Sequence, residues 1–149
     1  MGPRRCVKLR IQWNIEFFGK LLREKAVEVQ LPGEGGYLGV LPGHAPLIAE
    51  LGIGELSYHD LGGKESAHLA IVRGFAEVLS DRVTILAETA ERAEEIDLQR
   101  AKDALARAEK RLASNDPNMD WDRANIALQR ALIRIQVATK RRSALVSGS

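Results

Sequence analysis

The sequence predicts an α+β protein in which an N-terminal antiparallel β-sandwich is followed by a C-terminal α-helical hairpin. Up to residue 88, apolar residues alternate with polar ones in short runs separated by turn residues, which is typical of half-buried strands. Beyond that point apolar residues recur every three or four positions, as they do along one face of a helix. We therefore assign residues 1–88 to the sandwich and residues 89–149 to the hairpin.

The strands are predicted from two clear alternating segments and from the turns between the runs. Segment 27–31 carries valine or leucine at every second position, and segment 83–88 carries valine, isoleucine and alanine in the same way. Glycine and Ser-Asp turns follow at intervals of roughly 8 to 12 residues, the spacing of an all-β sandwich or barrel. We expect Gly52, Gly54 and Gly74 to lie at such turns, between strands.

Two helices are predicted, and each carries one apolar stripe. Asp97 precedes the first helix and is placed to accept a hydrogen bond from its exposed backbone N–H groups. Segment 114–118 contains a proline and ends that helix, and the second helix begins near Asp120. The stripes consist of Leu98, Ala101, Leu105, Ala108 and Leu112 in the first helix and of Ala124, Leu128, Ala131, Ile135 and Ala138 in the second. Because alanine buries little area, we expect an antiparallel hairpin that is weakly held.

Length and composition restrict the class of protein. A chain of 149 residues with 45% hydrophobic content can form one compact domain with an extension. Its apolar runs are all shorter than the ~20 residues that cross a bilayer, so we expect a soluble protein that meets membranes only through partners. Cys6 is the single cysteine, which predicts no disulfide framework and fits a reducing cytoplasm.

The sequence shows no arrangement of residues that indicates catalysis. Glycines at 33, 35, 36 and 39 lack the Gly-Lys-Ser/Thr ending and the following helix of a phosphate-binding loop, so we interpret them as turn residues. The three histidines are dispersed without the spacing of metal ligands. No serine or cysteine stands in a recognisable nucleophile motif. We therefore predict no catalytic centre, no metal site and no required cofactor.

Charge is unevenly distributed along the chain. The net charge is only +2, yet residues 123–149 contain six lysines and arginines and no acidic residue. These cations either complement the negative C-terminal end of a helix dipole or bind an acidic partner. Binding of nucleic acid is disfavoured, because Trp121 is the only aromatic residue among these arginines and the remainder of the chain is near neutral.

A proline- and glycine-rich segment carries a family resemblance. Residues 31–46 read Leu-Pro-Gly-Glu-Gly-Gly-Tyr-Leu-Gly-Val-Leu-Pro-Gly-His-Ala-Pro, in which proline fixes φ and glycine permits positive φ, so that sharp reversals form. Together with segments 74–79 and 83–90, this stretch resembles the epsilon subunit of bacterial F-type ATP synthases, the counterpart of the mitochondrial delta subunit. The resemblance covers about residues 27–140. Segment 11–20 departs from the family because it lacks a Thr-Pro turn; we expect its aromatic residues, Trp13, Phe17 and Phe18, in the core rather than on a docking surface.

The resemblance implies a non-catalytic rotor subunit in the central stalk of a proton- or sodium-driven ATP synthase. In such a subunit the sandwich couples gamma to the c ring, and the helices inhibit ATP hydrolysis by contacting the beta and alpha subunits. The protein is then expected at the cytoplasmic face of the bacterial cell membrane, held there by its partners. Implied contact residues are Tyr37 and His44 in the sandwich and Arg123, Arg130 and Arg134 in the second helix. His44 has the alternative role of a hydrogen bond across its own turn.

The segment Ile-Asp-Leu-Gln-Arg-Ala at 96–101 is similar to the motif with which some epsilon subunits bind ATP. The resemblance implies ATP as a regulatory ligand of the folded hairpin, since arginine presents a planar fork that matches phosphate oxygens. The implied site consists of Glu91, Ile96, Asp97, Arg100, Ala101, Arg107, Arg130 and Arg134. In the alternative interpretation Asp97 is only a helix cap and Arg100 only a solvated charge. An alternative function is that of a stand-alone ATP-sensing module without a role in torque transmission.

Overall fold

The computed structural model describes residues 9–15, 20–59 and 66–147, and the side chains of residues 25–59 and 67–140. Its strands are β1 (Leu9–Ile15), β2 (Lys20–Ala26), β3 (Glu28–Gly33), β4 (Gly36–Val40), β5 (Leu47–His59), β6 (Ser66–Val78) and β7 (Arg82–Arg92). A single 3-10 turn (Ala93–Glu95) leads to the helices α1 (Leu98–Ala113) and α2 (Trp121–Ser147). The predicted fold, a sandwich followed by two helices, is confirmed.

The strands form a seven-stranded sheet in the order β2-β1-β7-β6-β5-β3-β4. β1–β2, β3–β4, β3–β5 and β5–β6 pair antiparallel, whereas β1 and β7 pair parallel, a pairing that alternation within each strand does not predict. One hydrophobic core takes inward-facing residues from Ala26 at the end of β2 through β7; its largest fully buried side chains include Leu31, Leu51, Leu56, Leu69, Ile71 and Ile85. In β7, Val83, Ile85 and Ala87 are buried as the alternation predicts.

The long strands β5 and β6 contain glycines that the sequence places between strands. Gly52 and Gly54 lie inside β5 and Gly74 lies inside β6, so the prediction of turns at these positions is wrong. At Arg73 and Gly74 the backbone leaves the extended conformation, with φ of 45° and 152°. A Cβ on residue 74 would overlap the backbone carbonyl oxygen of Leu86 in β7. Glycine at 74 therefore allows the backbones of β6 and β7 to approach closely within one continuous strand.

An aspartate caps the N-terminus of each helix. The Oδ1 atom of Asp97 accepts a hydrogen bond of 3.1 Å from the backbone N–H of Arg100, and Asp120 does the same for Arg123. α1 ends at Ala113, where the backbone N–H of Ser114 donates to the carbonyl oxygen of Arg111. The predicted cap, the helix break and the second start near Asp120 all appear in the structure.

Alanine lines the seam between α1 and α2. Ala101 and Ala108 are buried in α1, and Ala124, Ala131 and Ala138 are buried in α2, each seven residues from the next. This spacing keeps the small side chains on one seam, where they let the backbones approach closely. The leucines and the isoleucine of the predicted stripes are half-buried. α2 also buries Ile133 and Val137, which adds a second apolar row that the single predicted stripe lacks.

The chain divides into two compact units, Met1–Ala90 and Glu91–Ser149. The predicted domain limits, residues 1–88 and 89–149, stay a prediction. Phe17 and Phe18 and the side chain of Trp13 lie outside the described residues, so their expected place in the core also stays a prediction. Neither α1 nor α2, as far as the structure describes them, is long and apolar enough to cross a membrane.

Candidate functional site

Strand β4 carries Tyr37, and the loop after it carries His44. Tyr37 is 64% exposed, and His44 is half-buried. The loop is constrained, because Gly43 has φ of 88° and its N–H donates to the carbonyl oxygen of Ser80 at 2.8 Å. The ring Nδ1 of His44 lies 2.7 Å from the carbonyl oxygen of Ala45. This local hydrogen bond agrees with the alternative interpretation, and a contact of His44 with a partner stays a prediction.

A second exposed surface, the β5–β7 face, was missed by the sequence analysis. In the register of β5 and β6, Ile48 opposes Glu77 and Glu50 opposes Phe75, so that these side chains share one side of the sheet. Ile48, Phe75 and the neighbouring Leu86 are 72%, 55% and 48% exposed. The face consists of Ile48, Glu50, Phe75, Glu77, Leu86 and Glu88. It combines apolar residues with carboxylates, the composition of a protein-binding surface for a partner with apolar and basic side chains.

A cavity of about 530 Å³ adjoins this face. It is lined by Glu34, Glu50, Leu51, Arg73, Gly74, Phe75, Leu86, Ala87 and Glu88. A signal for the face exists in the sequence: Leu47-Ile48, Phe75-Ala76 and Ile85-Leu86 are apolar pairs, and consecutive residues of a strand point to opposite sides. One member of each pair must therefore face away from the core.

A buried carboxylate lies on the opposite end of β5. Glu55 is 5% exposed, and its Oε1 lies 2.5 Å from Nδ1 of His68 in β6. The two residues are diagonal neighbours, because Ser57 opposes His68 in the register. The imidazole satisfies a carboxylate that would be unfavourable to bury alone. Sequence reasoning treats the histidines as dispersed because cross-strand register is not visible in the sequence.

Of the eight residues in the predicted ATP site, the structure brings two together across the fold of the second unit. Nε of Arg134 in α2 lies 2.9 Å from Oε1 of Glu91 without hydrogen-bond geometry, and Nη2 donates to Oε2 at 3.1 Å. Their side chains are 27% and 35% exposed, so the pair is partly shielded from water. The ion pair ties α2 to the end of β7, immediately before the 3-10 turn that packs against α2.

The other residues of the predicted ATP site have separate surroundings. Ile96 and Ala101 are buried, and Asp97 is the cap of α1, which is its alternative role. The structure exposes three arginines of the predicted ATP site, Arg100, Arg107 and Arg130. Arg123, a predicted contact with a partner subunit, is also exposed. The described residues contain no group of three or more histidine, cysteine, aspartate or glutamate side chains arranged for a metal ion. Exposed arginines can bind a polyanion, and the ATP site stays a prediction.

Comparison with known families covers both units. Residues 16–93 match the family described as ATP synthase, Delta/Epsilon chain, beta-sandwich domain, and residues 94–139 match ATP synthase, Delta/Epsilon chain, long alpha-helix domain. The chain belongs to the ATP synthase delta/epsilon family. It is 49% identical to the ATP synthase epsilon chain of Solibacter usitatus over 82% of this chain and 90% of the relative. It is 51% identical to that of Geotalea daltonii over 83% of this chain and 88% of the relative.

Two solved structures of ATP synthase complexes contain a chain with a similar fold. A chain of the Euglena gracilis mitochondrial ATP synthase, in a structure of OSCP, F1 and c-ring, superposes with a TM-score of 0.76 at 25% identity, over 89% of this chain and 82% of that chain. A chain from the Tetrahymena thermophila mitochondrial ATP synthase, in a structure of the central stalk and c-ring, gives a TM-score of 0.53 at 13% identity, over 90% and 96%. The similarity to the Tetrahymena thermophila chain supports only the fold.

Proposed function

We propose that the protein is a non-catalytic rotor subunit in the central stalk of a bacterial proton- or sodium-driven F-type ATP synthase. In this role the sandwich couples gamma to the c ring, and the helical hairpin inhibits ATP hydrolysis. The observation that carries the proposal is the family match across both units, with close to 50% identity to epsilon chains over nearly their whole length. The Euglena relative comes from a complex that contains F1 and the c-ring, which supports a position in the central stalk.

The sandwich has two exposed surfaces, as a coupling element between two partners requires. The segment from Tyr37 in β4 to His44 in the following loop is stiffened by proline and glycine and faces, in our proposal, the c ring. The β5–β7 face offers a larger apolar area flanked by carboxylates and binds gamma. Two surfaces on one rigid sheet transmit force without relying on long flexible side chains. Attachment to the cytoplasmic face of the membrane is then peripheral and occurs through these partners.

The hairpin carries the proposed inhibitory role. Arg123 and Arg130 are exposed on α2, and Arg134 is partly exposed beside Glu91. A run of cations favours docking on an acidic segment of the beta subunit, next to alpha, and such docking weakens with salt. The alanine seam between the helices buries small side chains, so release of the hairpin from its folded form requires less free energy than separation of a leucine-lined seam.

ATP is the proposed regulatory ligand of the folded hairpin. If ATP binds the folded hairpin and not the extended one, ATP binding must shift the equilibrium toward the folded form. The size of this shift cannot exceed the difference between the free energies with which ATP binds the two forms. Arg134 already lies beside the connector to the sandwich because Glu91 holds it there. The ion pair holds the guanidinium of Arg134 in place. In our proposal Arg100, Arg107 and Arg130 contribute further positive charge when a phosphate group binds.

The decisive experiment measures ATP hydrolysis by the cognate alpha-beta-gamma complex with and without the full-length chain. We expect turnover to fall when the chain binds and the inhibition to weaken at high salt. Unchanged turnover with a chain that still binds gamma would remove the inhibitory role and leave coupling. A chain that binds ATP but not gamma would contradict the rotor proposal and favour the stand-alone ATP-sensing module.

A further inference from the structure

Arg73 has a backbone conformation that its side chain disfavours. Among the residues that the structure describes, it is the one non-glycine residue with positive φ, at 45°. In this region Cβ is crowded by the backbone, so that glycine, asparagine and aspartate are the usual occupants. Gly74 follows directly and accounts by itself for the close approach to Leu86. The close approach of β6 to β7 therefore explains glycine at 74 but does not explain arginine at 73.

Arg73 is exposed and lines the cavity beside the β5–β7 face. Glu34, Glu50 and Glu88 line the same cavity, together with Phe75 and Leu86. Although three carboxylates share the cavity with it, Arg73 makes no ion pair within 4.0 Å and no other polar contact with any residue in the described part of the chain. Within the described part of the chain, no polar contact of the Arg73 side chain therefore compensates for the strain of its backbone.

We propose that Arg73 is a specificity-determining contact for the protein that binds the β5–β7 face. The inference rests on the proposed function, in which that protein is gamma. The partner surface has an apolar centre that covers Ile48, Phe75 and Leu86, basic side chains that meet the surrounding carboxylates, and one carboxylate that meets Arg73. A cation within an otherwise acidic rim discriminates against partners that carry only basic residues, because such partners would bring like charges together.

The strain and the contact predict opposite effects of one substitution. Arg73→Gly relieves the positive φ and raises the thermal midpoint of the sandwich by roughly 4 °C. The same substitution removes a charge-assisted contact and weakens binding to gamma about tenfold. Arg73→Asn distinguishes the loss of charge from the backbone change that glycine introduces, because asparagine tolerates positive φ but is neutral. We expect it to weaken binding to gamma to a similar degree. Arg82→Ala is the control, since Arg82 is another exposed arginine of the sandwich that does not line the cavity.

The experiment measures binding of full-length wild type and of each variant to purified cognate gamma, and the thermal midpoint of each free protein. Tenfold weaker binding by Arg73→Gly and Arg73→Asn, with Arg82→Ala close to wild type, supports the inference. Equal affinities for wild type and both Arg73 variants overturn it while the proposed function stands. Equal weakening by Arg82→Ala also overturns it, because the effect would then be one of net charge. If wild type itself does not bind gamma, the proposed function fails and the inference fails with it.

Discussion

At the scale of single residues, the close approach of β6 to β7 depends on the absence of one side chain. A Cβ on residue 74 would overlap the Leu86 carbonyl oxygen and lie 2.8 Å from Cα of Ala87, and both contacts are with backbone that cannot rotate away. Residue 74 also has φ of 152°, a conformation open to glycine. Close approach and positive φ act together at this position, so even the smallest substitution is unfavourable.

We expect Gly74→Ala to lower the free energy of unfolding by more than about 3 kcal/mol, because β6 and β7 must separate to admit the methyl group. Gly39→Ala is the matched control, since a Cβ at Gly39 in β4 meets nothing within 4 Å. It should leave stability unchanged or raise it by about 0.5 kcal/mol. Urea unfolding of both variants provides the measurement, and similar midpoints for the two would show that β6 and β7 adjust freely.

Residues differ in how well the sequence predicts their role. Asp97 follows the rule that an oxygen-bearing side chain caps a helix, and the cap is present. The sequence predicts Gly74 at a turn, because a glycine that ends a strand and a glycine inside a strand that approaches a neighbouring backbone look alike in sequence. The strained backbone of Arg73 and the Glu55–His68 pair depend on long-range register, which local patterns do not contain.

At the scale of elements, the hairpin is better predicted than the sheet. Helical periodicity extends over many residues, so the alanine seam, both starts and the break between α1 and α2 follow from it. Strand pairing joins segments far apart in sequence, and the parallel contact of β1 with β7 has no local signal. The same limit applies to the predicted ATP site: its residues can be named from a motif, but the ion pair of Glu91 with Arg134 joins residues 43 positions apart.

This ion pair leads to a prediction for the hairpin. Arg134→Ala should loosen α2 from the end of β7 by about 1 kcal/mol, the upper range for a partly exposed pair. Amide hydrogen exchange at residues 91–97 should then accelerate about fivefold. If ATP binds the folded hairpin, calorimetry should show its affinity reduced at least tenfold in the same variant.

Arg111→Ala removes the same charge from an exposed position of α1 and serves as the control. It should change neither exchange nor ATP affinity. Equal exchange rates in wild type and Arg134→Ala would show that alanine packing alone holds the helices. If wild type and Arg134→Ala bind ATP equally, Arg134 is not part of an ATP site.

At the scale of the whole molecule, the two compact units suggest separable tasks. The core of the sandwich runs from Ala26 at the end of β2 to Ala90, where the first unit ends, two residues before the end of β7 at Arg92. The exposed arginines of α2 all lie in the second unit. Binding to gamma is therefore expected to depend on the first unit, and inhibition of hydrolysis on the second.

A chain that ends at Arg92 tests this separation. It retains all seven strands and the core residue Ala90, so we expect cooperative urea unfolding and an affinity for gamma within threefold of the full-length protein. Added to the alpha-beta-gamma complex, it should bind without reducing ATP turnover, because the cations of α2 are missing. Gradual, non-cooperative unfolding would show that the sandwich needs the hairpin for its stability. Inhibition as strong as that of the full-length protein would assign the effect to the sandwich, whose β5–β7 face would then act on gamma directly.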